Sequence, residues 1–357
     1  MNRITLQDIA KKANVSAATV SNALNDRGRL SPEKKEKIRQ IAYEMGYRPD
    51  TMAKSFRNRK SGILGVLLTH EYPESTSSIL AGMVMEAKRN NQMILLSPDY
   101  RTREEEIEAI QYMVSSPADA LIYYPRNYGI PFEKVNGIST IPLVGMLRRN
   151  FGSPIPKVYA DYRKIGYQST KYLLSLGRRR IAFVYCAGDY SDIRSVEELC
   201  QFACDDAISG RFVFDDCFMG FQNALIDAGL PLNPDHIFLS DLRRADGERI
   251  GKEILMRGDI DAVLIGGTEF ALGMYKVFRQ QGISVPEDIS LISYISDSVC
   301  EALTPTLTSC AIPFEEMGKS AVRLANQLLD GETPEDIVLD PRLILMNSTT
   351  KKRDGTS

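Results

Sequence analysis

Short apolar segments that favour β-strands recur along most of this 357-residue chain and alternate with longer segments of helical periodicity. Each is rich in Ile, Leu and Val, a composition typical of strands that are buried on both faces. Strands that alternate with helices predict parallel sheets covered on both sides, and therefore an α/β fold. The eight strand-like segments are residues 63–68, 93–97, 120–124, 142–146, 181–185, 237–240, 262–266 and 289–295.

This α/β region extends from residue 61 to about residue 345, which is too long for a single hydrophobic core. We therefore expect two lobes, each a doubly wound parallel sheet. Sheets of this kind bind small molecules at the C-terminal ends of their strands. The cleft between the two lobes is accordingly the candidate ligand site.

The N-terminal sixty residues differ from the rest of the chain in charge. They hold 14 Lys and Arg against 6 Asp and Glu, whereas the remainder holds 30 basic and 40 acidic residues. A basic segment joined to an acidic body suggests a module that binds a polyanion such as nucleic acid. Charge alone does not exclude the alternative, a solvated head without such a partner.

Three short helices are predicted in this basic segment. The first covers residues 6–13 and begins with Thr5 and Asp8 arranged as a capping box. Ser16 can cap a second helix, and Ser31, followed by Pro, can cap a third. Two short helices joined by a tight turn and braced by a third form the helix-turn-helix plan, in which the second helix lies in the major groove.

The surface of the second helix carries short, neutral side chains instead of Lys and Glu. The methyl groups of Ala17 and Ala18 can pack against thymine methyl groups, and the Asn22 amide can pair with adenine. Neighbouring Ser and Thr hydroxyls can reach phosphates or base edges. The alternative is a face of small residues packed against another helix, and the basic surroundings favour DNA.

Two stretches, TLQDIAKKANVSAATVSNALN and IRQIAYEMGYRPDTMAKSFRNRKSGILGVLL, resemble the start of LacI/GalR-family transcriptional regulators. The resemblance continues in ADYRKIGYQSTKYLLSLGRRRIAFV and in GISVPEDISLISY followed by LTPTLTS. It implies an all-α helix-turn-helix headpiece, a hinge helix and a two-lobed, periplasmic-binding-protein-like core that dimerises. The implied function is that of a repressor: a homodimer that binds a pseudo-palindromic operator and responds to a small effector, a carbohydrate or other metabolite, in the cleft.

The resemblance also sets the expected domain boundaries. The DNA-binding domain is residues 1–49, and the hinge helix or linker is residues 50–60. Lobe one, which carries the dimer contact, is residues 61–160 plus 293–320. Lobe two is residues 161–292 plus 321–345, and a tail follows at residues 346–357.

Within the hinge, the resemblance places Phe56 where the family inserts an apolar wedge, usually Leu, into the minor groove. The flanking basic residues would meet phosphates. A flexible basic linker in the free protein is compatible with this, because such a segment can fold on binding. The predicted DNA-binding residues are Thr5, Leu6, Ser16, Ala17, Ala18, Thr19, Ser21, Asn22, Asn25, Arg29, Ser31, Tyr47, Lys54, Phe56 and Arg57.

The cleft departs from the family pattern. Cys217 stands where the family usually has Arg, Thr268 follows Gly where the family has Asn-Asp, and Ile295 replaces an Asp, although Asp161 matches. Fewer charged groups leave a polyhydroxylated ligand harder to satisfy. Either the effector differs, or other residues contact it, or the core binds no small molecule. The predicted effector-binding residues are Tyr72, Tyr124, Arg148, Asp161, Cys217, Thr268 and Glu269.

Other classes of protein fit the sequence less well. It contains no P-loop, HExxH, GxSxG or paired-carboxylate motif, so we expect neither an enzyme nor a cofactor. A solute-binding protein would share the core but would need a signal peptide and no headpiece. No apolar stretch suggests a signal or a membrane span, so a cytoplasmic protein without membrane contact is expected.

Six cysteines are present without a CxxC pair, and four of them lie between residues 186 and 217. Cys200 and Cys204 are spaced to share one helix face, which raises the alternative of a thiolate metal site or a redox switch. Ordinary reduced thiols are the favoured reading, with no metal bound. The C-terminal tail lacks apolar heptads, so a tetramerisation helix is not expected.

Overall fold

The computed structural model describes residues 4–24, 26, 29–47, 60–69, 73–127, 129–186, 193–202, 212–241, 243–296 and 298–352. The chain divides into two compact units, Met1–Ser61 and Gly62–Ser357. Nearly all of the predicted hinge, including Lys54, Phe56 and Arg57, lies outside the described residues, as do Asn25, Tyr72 and Cys204.

The first unit contains the three predicted helices, α1 (Leu6–Ala13), α2 (Ala17–Leu24) and α3 (Pro32–Glu44). Local caps set their limits. The Thr5 N–H donates to Asp8 Oδ2 over 2.9 Å, and the Asp8 N–H donates to Thr5 Oγ1 over 3.3 Å, which closes the capping box. Asn14 ends α1 in the left-handed region, with φ 51°. Ser16 and Ser31 accept from the N–H groups three residues onward and so begin α2 and α3.

A small apolar core holds these helices together. It consists of two residues from each helix: Ile9, Ala10, Val20, Ala23, Ile38 and Ala42. Because α2 contributes only its buried side to this core, its opposite side is left for another partner. The predicted helix-turn-helix arrangement is confirmed.

The second unit is the α/β region. Its elements are β1 (Ile63–Leu67), α4 (Pro73–Arg89), β2 (Met93–Leu96), α5 (Arg103–Val114), β3 (Ala120–Tyr123), β4 (Leu143–Met146), β5 (Lys157–Ala160), α6 (Tyr162–Ser175), β6 (Ile181–Cys186), α7 (Val196–Phe202), α8 (Val213–Asp227), β7 (Ile237–Ser240), α9 (Arg244–Arg257), β8 (Ala262–Ile265), α10 (Thr268–Gln280), β9 (Ser290–Ser293), β10 (Thr308–Ala311), α11 (Phe314–Leu329), β11 (Ile337–Leu339) and β12 (Arg342–Ile344). Short 3-10 turns cover Phe132–Lys134, Ile138–Thr140, Pro234–His236 and Ser298–Glu301.

Two six-stranded sheets form the two lobes. Lobe one has the order β11-β5-β4-β3-β1-β2 and is parallel throughout. Lobe two has the order β12-β10-β9-β8-β6-β7, in which only β12 at the edge is antiparallel. All eight strand-like segments of the sequence are strands here. The predicted architecture of two doubly wound lobes is confirmed.

The predicted lobe boundaries need two corrections. Thr308 pairs with Ile292, so β10 extends the lobe-two sheet, although residues 293–320 were assigned to lobe one. Helix α11 packs against α4 and the lobe-one strands, and β11 pairs with β5, although residues 321–345 were assigned to lobe two. The chain therefore crosses between lobes after β5, after β10 and after β11. Strand β10 contains Thr308, Ser309 and Cys310 and lacks the Ile, Leu and Val composition of the other strands, so its sequence does not predict a strand.

The predicted tail also needs correction, because residues 346–352 are part of lobe two. The Ser348 side chain is fully buried, accepts from the Thr308 N–H over 2.8 Å and donates to the Leu291 carbonyl over 2.6 Å. Lys352 Nζ lies 2.9 Å from Asp261 Oδ2. Hydrogen bonds and an ion pair attach this segment to lobe two, with no apolar side chains involved in these contacts. Hydrophobic periodicity therefore does not predict that the segment belongs to the lobe.

Paired glycines set the closest helix crossing in lobe two. A Cβ on Gly166 of α6 would lie 1.9 Å from the Cys217 carbonyl oxygen, and a Cβ on Gly220 of α8 would lie 1.9 Å from the Arg163 carbonyl oxygen. No larger side chain fits without separating the two helices. The same reciprocal contact joins α4 to α11 through Gly82 and Gly318.

We predict that Gly166→Ala lowers the free energy of unfolding by about 3 kcal/mol, because the added methyl group meets backbone atoms that cannot move aside. Gly251→Ala is the matched control: it is also a helical glycine, but a Cβ there would meet Val277 at an ordinary 3.4 Å. The control should be neutral or slightly stabilising, since Ala favours helix. Urea midpoints of the full-length variants measure both effects, and equal midpoints would contradict the close-contact explanation.

Candidate DNA-binding and effector sites

The outer side of α2 is accessible. Ser16, Ala18 and Asn22 are exposed, whereas Val20 and Ala23 of the same helix are fully buried. Side chains on this surface extend only a few atoms from the backbone, so a binding partner can approach the helix closely. This geometry is what insertion into a major groove requires.

Several of the predicted DNA contacts already make hydrogen bonds within the headpiece. Ser16 Oγ lies 2.8 Å from Thr19 Oγ1, and the Thr5 hydroxyl donates to Asp8 Oδ2 over 2.6 Å. Ala17 and Leu6 are partly buried against the headpiece core, as is Tyr47. Arg29 and Ser31 are exposed. Asn22 supplies the side-chain amide of α2. It is exposed, and an amide carries both a hydrogen-bond donor and an acceptor.

The rim of lobe one is built around a buried carboxylate that the sequence did not single out. Glu106 is fully buried and accepts from the Tyr123 hydroxyl over 2.6 Å and from the Arg126 N–H over 2.8 Å. Both the backbone and the side-chain amide of Asn127 donate to its other oxygen, over 2.9 and 2.7 Å. Four donors fix the loop that follows β3, which also carries Tyr124.

Arg148 lies against the same loop. It follows β4, is only 7% exposed and donates to the Arg126 carbonyl. Burial lowers the pKa of its guanidinium, while nearby Tyr123, Glu106, Tyr124 and Asp215 act in the opposite direction. The carbon of the guanidinium lies 4.5 Å from the centre of the Phe212 ring, which belongs to lobe two. Arg148 and Tyr124 thus lie together at the cleft.

Lobe two contributes Cys217 to this region. The thiol is fully buried in the first half of α8, and burial raises its pKa well above the usual value, so it stays protonated. Burial raises the pKa of Tyr162, the first residue of α6, well above its usual value, and nearby Tyr124, Cys217 and Asp216 act in the same direction. Asp161 caps α6 by accepting from the Lys164 N–H over 2.9 Å.

The two predicted residues on α10 are placed differently. Thr268 is 7% exposed at the start of the helix. Glu269 is largely exposed and pairs with Arg244 of α9 over 3.0 Å. Its carboxylate is directed to that neighbouring helix, and no contact in the described part of the chain joins it to Arg148 or Cys217.

The cysteines form no metal cluster within the described residues. Cys186, Cys217, Cys300 and Cys310 are buried, and Cys200 is half-buried. No group of three His, Cys, Asp or Glu side chains there is arranged to hold a metal ion. None of the helices in the described ranges combines the length and apolarity needed to cross a membrane.

Comparison with known proteins agrees with this architecture. Residues 5–50 match the family of bacterial regulatory proteins called lacI, and residues 170–349 match the periplasmic binding protein-like domain. The HTH-type transcriptional regulator AscG of Escherichia coli (strain K12) is 27% identical over 331 residues, covering 92% of each chain. The chain belongs to the LacI family. It is a DNA-binding transcriptional regulator.

Two solved structures resemble this chain in fold over almost its entire length. A Lac repressor dimer bound to operator and the anti-inducer ONPF superposes with a TM-score of 0.83 at 20% identity, covering 98% of this chain and 100% of that one. A complex of the transcriptional regulator CelR with cellobiose gives a TM-score of 0.68 at 24% identity, with 97% and 100% coverage. At these identities the comparisons establish the fold alone.

Asp215, beside Cys217, has an unusual acidity for a carboxyl group. It accepts from the Tyr185 hydroxyl over 2.5 Å and from the Phe212 N–H over 3.1 Å. Burial raises its pKa from 3.8 to about 6, although these hydrogen bonds and Arg148 oppose the rise and Asp216 adds to it. Because the folded pKa exceeds the unfolded one, the stabilisation from its bound proton is complete below about pH 3.8 and is lost as the pH rises through about 6.

We predict that wild type loses about 2 kcal/mol of stability relative to Asp215→Asn between pH 4 and pH 7, from about 1.4 kcal/mol per pKa unit. The asparagine keeps the size of the side chain but does not titrate. Urea denaturation of both full-length proteins at half-unit pH steps measures the difference. Parallel stability profiles for the two proteins would show that Asp215 titrates as an ordinary carboxyl group.

Proposed function

We propose that this LacI-family regulator is a repressor that binds a pseudo-palindromic operator as a homodimer and responds to a small effector in the interlobe cleft. The observation that carries the DNA-binding part is the exposed, short-chained surface of α2 on a headpiece with a surplus of positive charge. Positive charge supplies affinity for phosphates, while short polar side chains supply base recognition. Binding to chromosomal DNA would place the regulator in the cytoplasm.

Exposed apolar residues support the homodimer. Val84 and Met85 on α4 are 48% and 44% exposed, and Met93 and Leu96 on the adjoining strand β2 are 67% and 48% exposed. β2 is the edge strand of its sheet. An apolar patch across an edge strand and its neighbouring helix is a typical contact surface between proteins, and the Lac repressor relative is a dimer. A symmetric dimer would present two headpieces to two half-sites.

For the effector, a carbohydrate is the first class to test, because the CelR relative was captured with cellobiose. Tyr124 and Arg148 offer an aromatic face and a guanidinium at the cleft, and we assign the contacts to them and to Asp161, Cys217 and Thr268. The effector acts by binding the two lobe arrangements unequally. The alternatives are a regulator without a small effector and a solute-binding protein, and the second conflicts with the headpiece.

We predict that Asn22→Ala reduces the preference for one base pair in each half-site by about tenfold, corresponding to the loss of one bidentate base contact. Binding to random DNA should change little, because Asn22 carries no charge. Gln40→Ala, which removes an exposed amide from α3, is the matched control and should keep the preference. A randomised-operator selection with each full-length protein measures this, and an unchanged consensus for Asn22→Ala would refute its role in recognition.

A thermal-shift screen of sugars and other small metabolites on the full-length chain tests the effector. A true effector at about 100 times its Kd adds about 2.7 kcal/mol and so raises the melting midpoint. The same compound should change operator affinity in a gel-shift titration, and Tyr124→Ala should reduce both responses. If the operator is bound but no compound shifts the midpoint, the alternative without a small effector is favoured.

A further inference from the structure

Two side-chain contacts connect the lobes at one end of the cleft. Arg148 and Arg149 follow β4 of lobe one and extend to the start of α8 in lobe two. The Arg148 guanidinium stacks on the Phe212 ring at 4.5 Å, and Arg149 Nη2 lies 3.3 Å from Asp216 Oδ1. Two consecutive arginines of lobe one thus contact the first turns of α8 in lobe two, one through a cation–π contact and the other through an ion pair.

The lobe-one side of this connection is rigid. Arg148 is buried and donates to the Arg126 carbonyl, and the Arg126 N–H in turn donates to the fully buried Glu106. Most arginine side chains lose several freely rotating bonds when they form an ion pair, which cancels much of the gain. Arg148 avoids part of this cost in its contact with Phe212, because its hydrogen bond to the loop orders it before the other lobe is contacted, whereas the Arg149 side chain is 41% exposed.

The lobe-two side is rigid as well. The side chain of Asp216 is only 9% exposed and also pairs with Arg163 of α6, whose Nη2 lies 3.6 Å from the same oxygen. Helices α6 and α8 are locked together where Gly166 and Gly220 meet. Asp215 on the same turn adds a second carboxyl group that favours the charged form of Arg148. Asp216 is shielded from solvent, whereas the Arg149 and Arg163 side chains are 41% and 37% exposed, so salt screens these two ion pairs in part.

We propose that Arg148 and Arg149 form an interlobe latch with Phe212 and Asp216, which holds the cleft closed without an effector. The latch sets the resting balance between the open and closed lobe arrangements. An effector that stacks on the Arg148 face covered by Phe212 must compete with that ring. The consequence for DNA rests on the proposed function, whereas the latch itself is a property of the core and can be measured without DNA.

Hydrogen–deuterium exchange on the full-length, ligand-free chain tests the latch. We expect Arg149→Ala to speed exchange about fivefold or more in peptides from both the loop after β4 and the first turns of α8, the lower end of typical coupling between sites. Arg148→Ala should act in the same direction. Arg163→Ala is the matched control, because it removes an arginine from the same Asp216 oxygen without crossing the cleft, and it should leave the loop after β4 protected.

Asp216→Asn provides a second variant that keeps the shape of the side chain if either arginine variant folds poorly. It should increase exchange in the lobe-one loop, 67 residues away in sequence, and the double variant with Arg149→Ala should add little. Increased exchange confined to the mutated lobe, or an equal effect of Arg163→Ala on both lobes, would overturn the latch. Operator titrations of the same variants then test the separate claim that closure controls DNA binding.

Discussion

The close crossing of α6 and α8 is the constraint on which the cleft depends. With glycine on both helices, each backbone rests directly on the other, and the carbonyl oxygens of Arg163 and Cys217 occupy the space that side chains would need. Helix α8 therefore has one position relative to the crossover that follows β5. That position brings Phe212 and Asp216 to the other lobe on the helix that also carries Cys217, so the lobe contacts and the proposed effector contact share a single support.

The headpiece is stabilised by a very small hydrophobic core. Among its described residues, six side chains form the buried core, none of them larger than Ile, and partly buried side chains such as Leu6 and Tyr47 pack against them. So small a core gains little from burial, and local caps must contribute a substantial part of the order. Ser16 shows the overlap of the two demands: its hydroxyl begins α2 and lies on the surface proposed to meet DNA. Structure and recognition therefore draw on the same short polar side chains.

Features that depend on residues close in sequence could be predicted from the sequence. Features that depend on contacts between residues distant in sequence could not. Helix caps involve residues three or four positions apart, and the eight apolar strands are predicted by their composition. Strand β10 was not, because its polar residues Thr308 and Ser309 are buried by sheet pairing with segments distant in sequence, and Thr308 also by a hydrogen bond to Ser348. Glu106 sits in a run of acidic residues typical of a solvated helix face, yet its donors come from residues 123–127. Likewise, the ion pair between Arg149 and Asp216 joins residues 67 positions apart, so it could not be predicted from the sequence.

The position of Cys217 changes the electrostatics of the cleft. Where the family resemblance leads one to expect an arginine on α8, lobe two has a protonated thiol and two carboxyl groups, Asp215 and Asp216. The guanidinium at this end of the cleft comes from lobe one instead, and it stacks on the opposite lobe. A ligand that occupies the guanidinium face now covered by Phe212 must displace that ring. In the proposed latch, an arginine that comes from lobe one and stacks on lobe two therefore couples effector binding to lobe closure.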